Sequence, residues 1–254
     1  MHLDVIGAGP AYTDRPGATG ASYLIRLGEA SVLLDLGHGS FARLAATLDP
    51  ATLDAVVISH LHPDHFIDLI ALRHYLRWEQ PRRRVRVVAP AGLADRLDAL
   101  HDEAGFTAAC LDVETLTEGT FQIAGFEIEA ARVTHTASSF GFRVAGAAER
   151  GGSTGPGLVY SGDCGRAADL DVLARPDDAL LCEVSFGPGP VVAGAGHLDG
   201  PAVGDLANRV RAGRVLLTHL QMGFDRDATV KSVRARFDGP VELVEPGFAT
   251  MIEA

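Results

Sequence analysis

Basic charge is in short supply in this chain: 22 lysines and arginines face 33 aspartates and glutamates, a formal net charge of −11. A surface of that sign offers no long-range steering toward a polyanion such as chromosomal DNA. Long apolar runs are missing too. None approaches the roughly 20 residues that span a bilayer, so no membrane segment is expected. The opening Met1-His2-Leu3-Asp4 lacks the basic stretch and apolar core of a secretory signal. Cysteine is scarce: Cys110, Cys164 and Cys182 are odd in number and show no disulfide-like spacing. That usage points to a reducing, cytoplasmic setting. Disorder is excluded in turn, because 47% apolar and 22% charged residues make an ordinary globular composition. The 254 residues suffice for a sizeable core. With no low-complexity linker dividing them, they read as one domain, 1–254, with two similar-looking halves.

Short apolar runs alternate with helical patterns, the mark of an α/β protein. Leu3–Ile6 reads as a first strand, and Ser22–Leu27 with Ser31–Leu36 as a hairpin turning at Gly28-Glu29. Phe41, Leu44, Ala45 and Leu48 have helical spacing, ended by Asp49-Pro50. Ala55–Ile58 and Val85–Val88 are strand candidates, followed by helices over 66–78 and near 91–104. From Phe121 to Val144 the alternation of Phe126, Ile128 and Ala130 with Glu127 and Glu129 predicts antiparallel strands with one solvated face. Ala145–Gly157 and Phe186–Gly200 read as Gly-rich loops. Helices near 201–211 and 227–236 bracket a strand at Val215–Leu217, and a last strand lies around Ala249–Ile252.

Histidine is what the chain has in unusual arrangement. Three of its ten fall in Ser59-His60-Leu61-His62-Pro63-Asp64-His65. Imidazole and carboxylate are ligands that zinc and similar divalent ions accept. His60 and His62, two apart at a strand end, can bind one ion; Asp64 and His65, where a helix begins, can face a second. The same punctuation recurs, an apolar run and then Ser or Thr before the ligand-capable residue. Arg132-Val133-Thr134 leads to His135, Val159-Tyr160-Ser161-Gly162 to Asp163, and Val215-Leu216-Leu217-Thr218 to His219. Sites in open α/β sheets form beyond the carboxyl ends of strands, so these ends can converge on one pocket. His2, His38, His74 and His101 stand alone and are assigned no role.

His-x-His-x-Asp-His followed by single His, Asp and His ligands resembles the metallo-β-lactamase fold superfamily. The resemblance covers nearly the whole chain and implies a four-layer αβ/βα sandwich with a dinuclear metal site at the sheet edge. It implies His60, His62 and His135 on one ion, Asp64, His65 and His219 on the other, and Asp163 bridging both. The superfamily's iron-dependent redox branch usually has a carboxylate at the place of His62. Two zinc ions, with manganese as the alternative, and hydrolysis are therefore expected. Within the superfamily Asp35-Leu36-Gly37-His38-Gly39, Glu183-Val184-Ser185 and Gly196-His197-Leu198 are similar to elements of the ribonuclease Z-like group. By that similarity His197 contacts the scissile phosphate and protonates the leaving oxygen, Glu183 orients it, and Asp64 accepts a hydrogen bond from the attacking water.

Members of that group that process transfer RNA carry a long basic arm, and no insertion of that size is evident. The bacterial cyclic-nucleotide phosphodiesterases of the group lack the arm and share Phe140-Gly141-Phe142-Arg143, Tyr160-Ser161-Gly162-Asp163 and Phe237-Asp238-Gly239-Pro240 with this chain. The expectation is a phosphodiesterase acting on a small substrate such as a cyclic nucleotide, with RNA not favoured and with Arg143 a candidate to line the pocket. Homodimers are common in the group. The alternatives are a ribonuclease Z-type RNA-processing endonuclease, a lactone or thioester hydrolase of the same fold, and a non-catalytic metal-binding protein. Cys164, where the group commonly has Thr, is either a bland buried residue or an oxidisable neighbour of Asp163. Gly7-Ala8-Gly9 after a strand is similar to a dinucleotide-binding turn, but Asp14-Arg15-Pro16-Gly17 follows where a helix should open. Arg82-Arg83-Arg84 reads as a solvated linker rather than a nucleic-acid patch.

Overall fold

The structure is a computed structural model that describes residues 1–148 and 153–252. Its first sheet is built from β1 (His2–Gly7), β2 (Ser22–Leu27), β3 (Ala30–Leu34), β4 (Ala55–Val57), β5 (Val85–Ala89) and β6 (Leu111–Thr115). The C-terminal β14 (Ala249–Met251) joins it beside β1, giving the order β14-β1-β2-β3-β4-β5-β6. The second sheet contains β7 (Gly119–Ile123), β8 (Phe126–Arg132), β9 (Phe140–Ala147), β10 (Ser153–Tyr160), β11 (Ala179–Glu183), β12 (Arg214–Thr218) and β13 (Val241–Leu243). Its order is β13-β12-β11-β10-β9-β8-β7.

Strand periodicity sorts the apolar residues into three buried layers. Along β2 and β3, Tyr23, Ile25, Val32 and Leu34 face the other sheet and meet Phe126, Ile128, Phe142, Leu158 and Leu181. Leu24 and Leu33 point the opposite way. They pack with Leu44 of α1 (Ser40–Thr47), Leu72 and Leu76 of α3 (Leu69–Trp78) and Leu97 of α4 (Leu93–His101). On the far face of the second sheet, Leu180, Val215 and Leu217 meet Val203 and Leu206 of α5 (Gly200–Val210) and Val233 of α6 (Arg226–Arg234). Helices, sheet, sheet and helices make the four-layer αβ/βα sandwich that the family resemblance implies. Asp199 and Asp225 cap α5 and α6 by accepting from the third residue on, Ala202 N and Ala228 N.

Strand directions bring the functional segments to one edge. β3 and β4 are parallel, as are β10, β11 and β12, while β8 runs antiparallel to β9 and β9 antiparallel to β10. The carboxyl ends of β3, β4, β8, β10, β11 and β12 therefore lead into Asp35, His60, His135, Asp163, Val184 and His219.

Several local expectations change. The helix expected over 66–78 is split into α2 (Pro63–Phe66) and α3. The carbonyls of Asp64 and His65, which a continuous helix would need, accept instead from Ala21 N (2.9 Å) and Leu36 N (2.8 Å). Strand pairing extends into the Gly-rich stretch 145–157, since β9 reaches Ala147 and β10 begins at Ser153; residues 149–152 of that expected loop lie outside the described residues. β6 and β13 were not foreseen: β6 lies at a sheet edge, and its Asp112, Glu114 and Thr115 are exposed. No helix opens after Gly7-Ala8-Gly9, so the dinucleotide-turn reading is excluded. Arg84 binds Asp112 and the carbonyls of Ala108 and Ala109, a structural use for the end of that basic run.

Arg143 is the clearest correction. It is buried on β9, and its guanidinium is bidentate to Asp178 at 2.7 and 3.0 Å. It shares a cleft with Pro176, Gly213 and Met251, at the amino ends of β11 and β12, away from the edge that gathers the histidines. The face of β8 expected to be solvated instead carries Glu129 into this network, where it pairs with Arg175 at 2.6 Å. Asp178, fully buried, also accepts from Gly157 N and Arg175 N. Removing one partner of a buried ion pair strands the other. Asp178→Ala should therefore cost about 3–5 kcal/mol of unfolding free energy by urea titration; a loss below about 1 kcal/mol would show that Arg143 is not held by this pair.

Candidate active site

All seven sequence-nominated ligands meet at that edge, as two adjacent groups sharing Asp163. On one side His60 Nε2 lies 3.0 Å from His62 Nδ1, and His135 Nε2 lies 3.1 Å from the same atom. Asp163 Oδ2 is 3.7 Å from His60 Nε2 and 3.6 Å from His135 Nε2. On the other side Asp64 Oδ2 is 3.2 Å from His219 Nε2 and 3.7 Å from His65 Nε2. Asp163 Oδ1 completes this group, 3.3 Å from His65 Nε2 and 3.5 Å from His219 Nε2. Ligands 2.0–2.1 Å from a tetrahedral ion stand about 3.3 Å from one another, so both groups have the spacing of a coordination shell. His60, His65, Asp64, Asp163 and His219 are buried, His135 is half-buried and His62 is exposed.

Outer partners fix which ring nitrogen faces inward. His65 Nδ1 donates to Asp35 Oδ2 (2.7 Å), His135 Nδ1 to the Gly196 carbonyl (2.7 Å) and His219 Nδ1 to Ser185 Oγ (3.1 Å). Each leaves Nε2 for the centre. His60 Nδ1 lies 3.1 Å from Ser59 Oγ, which itself donates to Asp35. His62 is the exception and presents Nδ1.

His65 Nε2 and Asp163 Oδ1 are buried and, among the described residues, meet no partner in hydrogen-bond geometry. Orphaned polar atoms are costly unless something absent from the protein satisfies them, and a divalent cation fits this pair of donors. The charges agree. Burial lowers His60 far below the usual imidazole value, with the neighbouring His65 adding to it, and burial lowers His62 as well. Burial opposes charge on Asp163 as well, yet His219 and His65 outweigh it and hold the carboxyl far below its usual range. Burial works against protons on His65 and His219, but Asp163, with Asp35 at His65 and Asp64 at His219, raises both. The buried carboxylates thus call for positive charge at this edge, which a divalent cation would supply.

His197 and Glu183 sit beside the cluster. His197 Nδ1 donates to Glu183 Oε1 (2.9 Å) and lies 4.0 Å from Asp163 Oδ2. Burial opposes a proton on His197, but the Glu183 contact overrides it and raises the imidazole above its ordinary value. Glu183 is buried and also accepts from Cys164 N, Ser185 N and Ser185 Oγ. Through Ser185 it reaches His219, so one carboxylate orients two histidines. Cys164 gives its thiol to the Arg166 carbonyl, and burial pushes it up to about 12, so it is held as an unreactive thiol.

Sequence reasoning nominated the Asp35 turn without a role. Asp35 accepts from Ser59 N, Ser59 Oγ, His65 Nδ1 and Tyr160 OH, all at 2.7 Å. Its φ of +58° and the φ of +59° at His219 are left-handed, unusual for residues with a side chain. Tyr160 appears in the sequence only within the Tyr160-Ser161-Gly162-Asp163 element, and its role there is not legible, because a buried Tyr in a strand gives no local signal of its partner.

An open cavity of about 300 Å³ reaches the cluster, and His62, Asp64, Asp163, His197 and His219 line it. Pro10, Ala11, Tyr12, Pro63 and Gln221 complete its lining.

The fold and this site define a metal-dependent hydrolase of the metallo-β-lactamase type. Residues 31–220 match the beta-lactamase superfamily domain, and the chain belongs to that family. An uncharacterized protein of Mycobacterium tuberculosis is 31% identical over 242 residues, covering 90% of this chain and 84% of that protein. The probable metallo-hydrolase YhfI of Bacillus subtilis is 27% identical over 98% of both chains. Its crystal structure superposes with a TM-score of 0.84, 21% identity and 98% coverage of each chain. Ribonuclease Z of Mycolicibacterium paratuberculosis is 29% identical over 201 residues, 71% of this chain and 69% of that enzyme.

The approach of the 35–39 turn to the ligand loop depends on a missing side chain. A Cβ on Gly37 would fall 1.8 Å from the Asp64 carbonyl oxygen and 2.6 Å from its carbon. Both are backbone atoms and cannot swing aside. Gly37→Ala should lower the unfolding free energy by about 2–3 kcal/mol, read by denaturant titration of metal-free protein. An unchanged midpoint would mean that the two segments are not held in contact.

Proposed function

We propose that this chain is a phosphodiesterase with a dinuclear zinc-type centre, a single catalytic domain that hydrolyses a small phosphodiester such as a cyclic nucleotide in the cytoplasm. The observation that carries the reading is the Asp163 carboxylate, which turns one oxygen to each ligand group. His60, His62 and His135 would hold one ion, and Asp64, His65 and His219 the other. Five imidazoles with two carboxylates suit zinc, and manganese is the alternative. Two bound cations supply a water activated near neutral pH and neutralise charge developing on the phosphoryl oxygens.

The chain's own groups do the rest. Asp64 lines the cavity and accepts a hydrogen bond from the attacking water, fixing its orientation. His197, its Nδ1 tied to Glu183, turns its opposite edge to the cavity and gives its proton to the leaving oxygen. That His197–Glu183 pair favours a phosphodiester over a lactone or thioester, whose cleavage does not call for a second acid beside the metals.

Substrate size follows from charge and shape. The cavity of about 300 Å³ is of mononucleotide scale, and a chain at −11 has little basic surface to track a long polyanion. Only residues 148–152 separate β9 from β10, too few for an RNA-gripping arm. The relative named ribonuclease Z supports RNA processing as the second reading. The test is kcat/KM on a cyclic nucleotide and on precursor transfer RNA across a salt series, with His197→Ala in parallel. The expected result is turnover of the cyclic nucleotide with a shallow log–log salt slope, since each phosphate gripped on a single strand adds about −0.7. His197→Ala should lose roughly 10²-fold in kcat while keeping its metal. A steep slope with strong preference for the RNA would replace the small-substrate reading by the processing nuclease, and unchanged kcat in the variant would remove His197 as the acid.

A further inference from the structure

Three lining residues of the cavity, Pro10, Ala11 and Tyr12, belong to the segment from Ala8 to Ala21, and both ends of that segment are bonded to the main chain of proposed ligands. The Ala8 carbonyl accepts from His219 N (2.9 Å), and Ala21 N donates to the Asp64 carbonyl (2.9 Å). The base is pinched shut where Gly9 N donates to the Thr19 carbonyl (2.8 Å). Its flank is fastened by Arg15, whose guanidinium donates to the carbonyls of Leu220 at 3.0 Å and Gln221 at 3.4 Å. The segment is thus registered to the centre itself, and Arg15 locks it to the 220–221 stretch, whose Gln221 also lines the cavity.

Tyr12 stands on that segment and lines the cavity, yet its side chain is 66% exposed. Among the described large apolar side chains exposed to solvent, it is the one that borders the cavity. An aromatic ring left in water forgoes the burial that usually holds it. Around it the cavity offers the ionisable side chains of the cluster and, besides them, Pro10, Ala11, Pro63 and Gln221. A ligand that puts its phosphate among the ionisable groups meets these remaining lining residues, Tyr12 among them, with the rest of its body. A nucleobase has the flat π face that a tyrosine ring takes by stacking, whatever the base, and the Gln221 amide has both a donor and an acceptor for a base edge.

We propose that Tyr12 is the residue on which the base of a nucleotide substrate stacks, and that it sets the preference of the centre for nucleotides over phosphodiesters without a base. This rests on the phosphodiesterase reading above. The ring takes no part in the bond cleavage, so its contribution belongs mainly in KM.

The experiment measures kcat and KM for the wild type, Tyr12→Ala and Tyr12→Phe on two substrates, with metal content determined for each protein. The substrates are a purine nucleoside 3′,5′-cyclic phosphate and methyl p-nitrophenyl phosphate, a chromogenic diester with no nucleobase. In Tyr12→Ala the KM for the cyclic nucleotide should rise roughly 10-fold, and kcat/KM for it should fall at least about 5-fold further than for the chromogenic diester. Tyr12→Phe, which keeps the ring, should stay within about 2-fold of the wild type on the nucleotide. Equal losses on the two substrates, or an unchanged nucleotide KM in Tyr12→Ala with normal metal content, would overturn the assignment while leaving the phosphodiesterase intact. A metal-loaded wild type that cleaves the chromogenic diester and no cyclic nucleotide would instead overturn the nucleotide reading and this inference together.

Discussion

The buried carboxylate of Asp35 ties the two sheets to the ligand loop, and the geometry of the centre depends on it. Asp35 follows β3 in the first sheet, and its oxygens take four hydrogen bonds, three from Ser59 and His65 and one from Tyr160 in the second sheet. A carboxylate with no exposure is tolerable only when its lone pairs are filled. Moving either sheet would break that condition, so the two edges are held in one register. Tyr23 adds a second tie, with its hydroxyl 2.6 Å from Thr218 Oγ1 beside His219. Metal ligands drawn from both sheets would need this, because a coordination shell tolerates errors of only a fraction of an ångström.

Close packing then brings the ligand loop in from below. Gly20 and Gly37 let two turns press against the Asp64 carbonyl, and the main-chain bonds made there by Ala21 and Leu36 interrupt the helix that would otherwise run from Pro63 to Trp78. The interruption leaves Asp64 and His65 on a single short turn at the sheet edge, facing Asp163 and His219. Glu183 plays the matching part on the other sheet, steadying His197 directly and His219 through Ser185. The strained backbone at Asp35 and His219 sits at these two supports. Fold and centre are therefore coupled: the interactions that hold the two sheets together are also those that aim the imidazoles.

Much of this was legible in the sequence, and the reason is local. His60, His62, Asp64 and His65 lie within one short segment, and His135, Asp163 and His219 each follow an apolar run closed by Ser or Thr within a few residues. Strand runs such as Leu24–Leu27 and Val215–Leu217 carry their own period. What escaped depends on contacts distant in sequence. The break at Ile67-Asp68 is caused by Ala21 and Leu36. The burial of Arg143 is decided by Asp178, thirty-five residues away. β6 and β13 are short strands, β6 with mostly exposed residues, whose place is set by the neighbour they pair with. Tyr160 and Tyr12 look alike in sequence; one is sealed between the sheets and the other lines the cavity.

Under the proposed function, Asp163 would offer one carboxylate oxygen to each of two metal ions. The most direct measurement is anomalous diffraction at the zinc absorption edge from crystals of zinc-loaded protein. Two peaks are predicted, one on each side of the Asp163 carboxylate and about 3.5–4 Å apart, the first among His60, His62 and His135, the second among Asp64, His65 and His219. A single peak, with no anomalous density beside Asp64, His65 and His219 at saturating zinc, would contradict it.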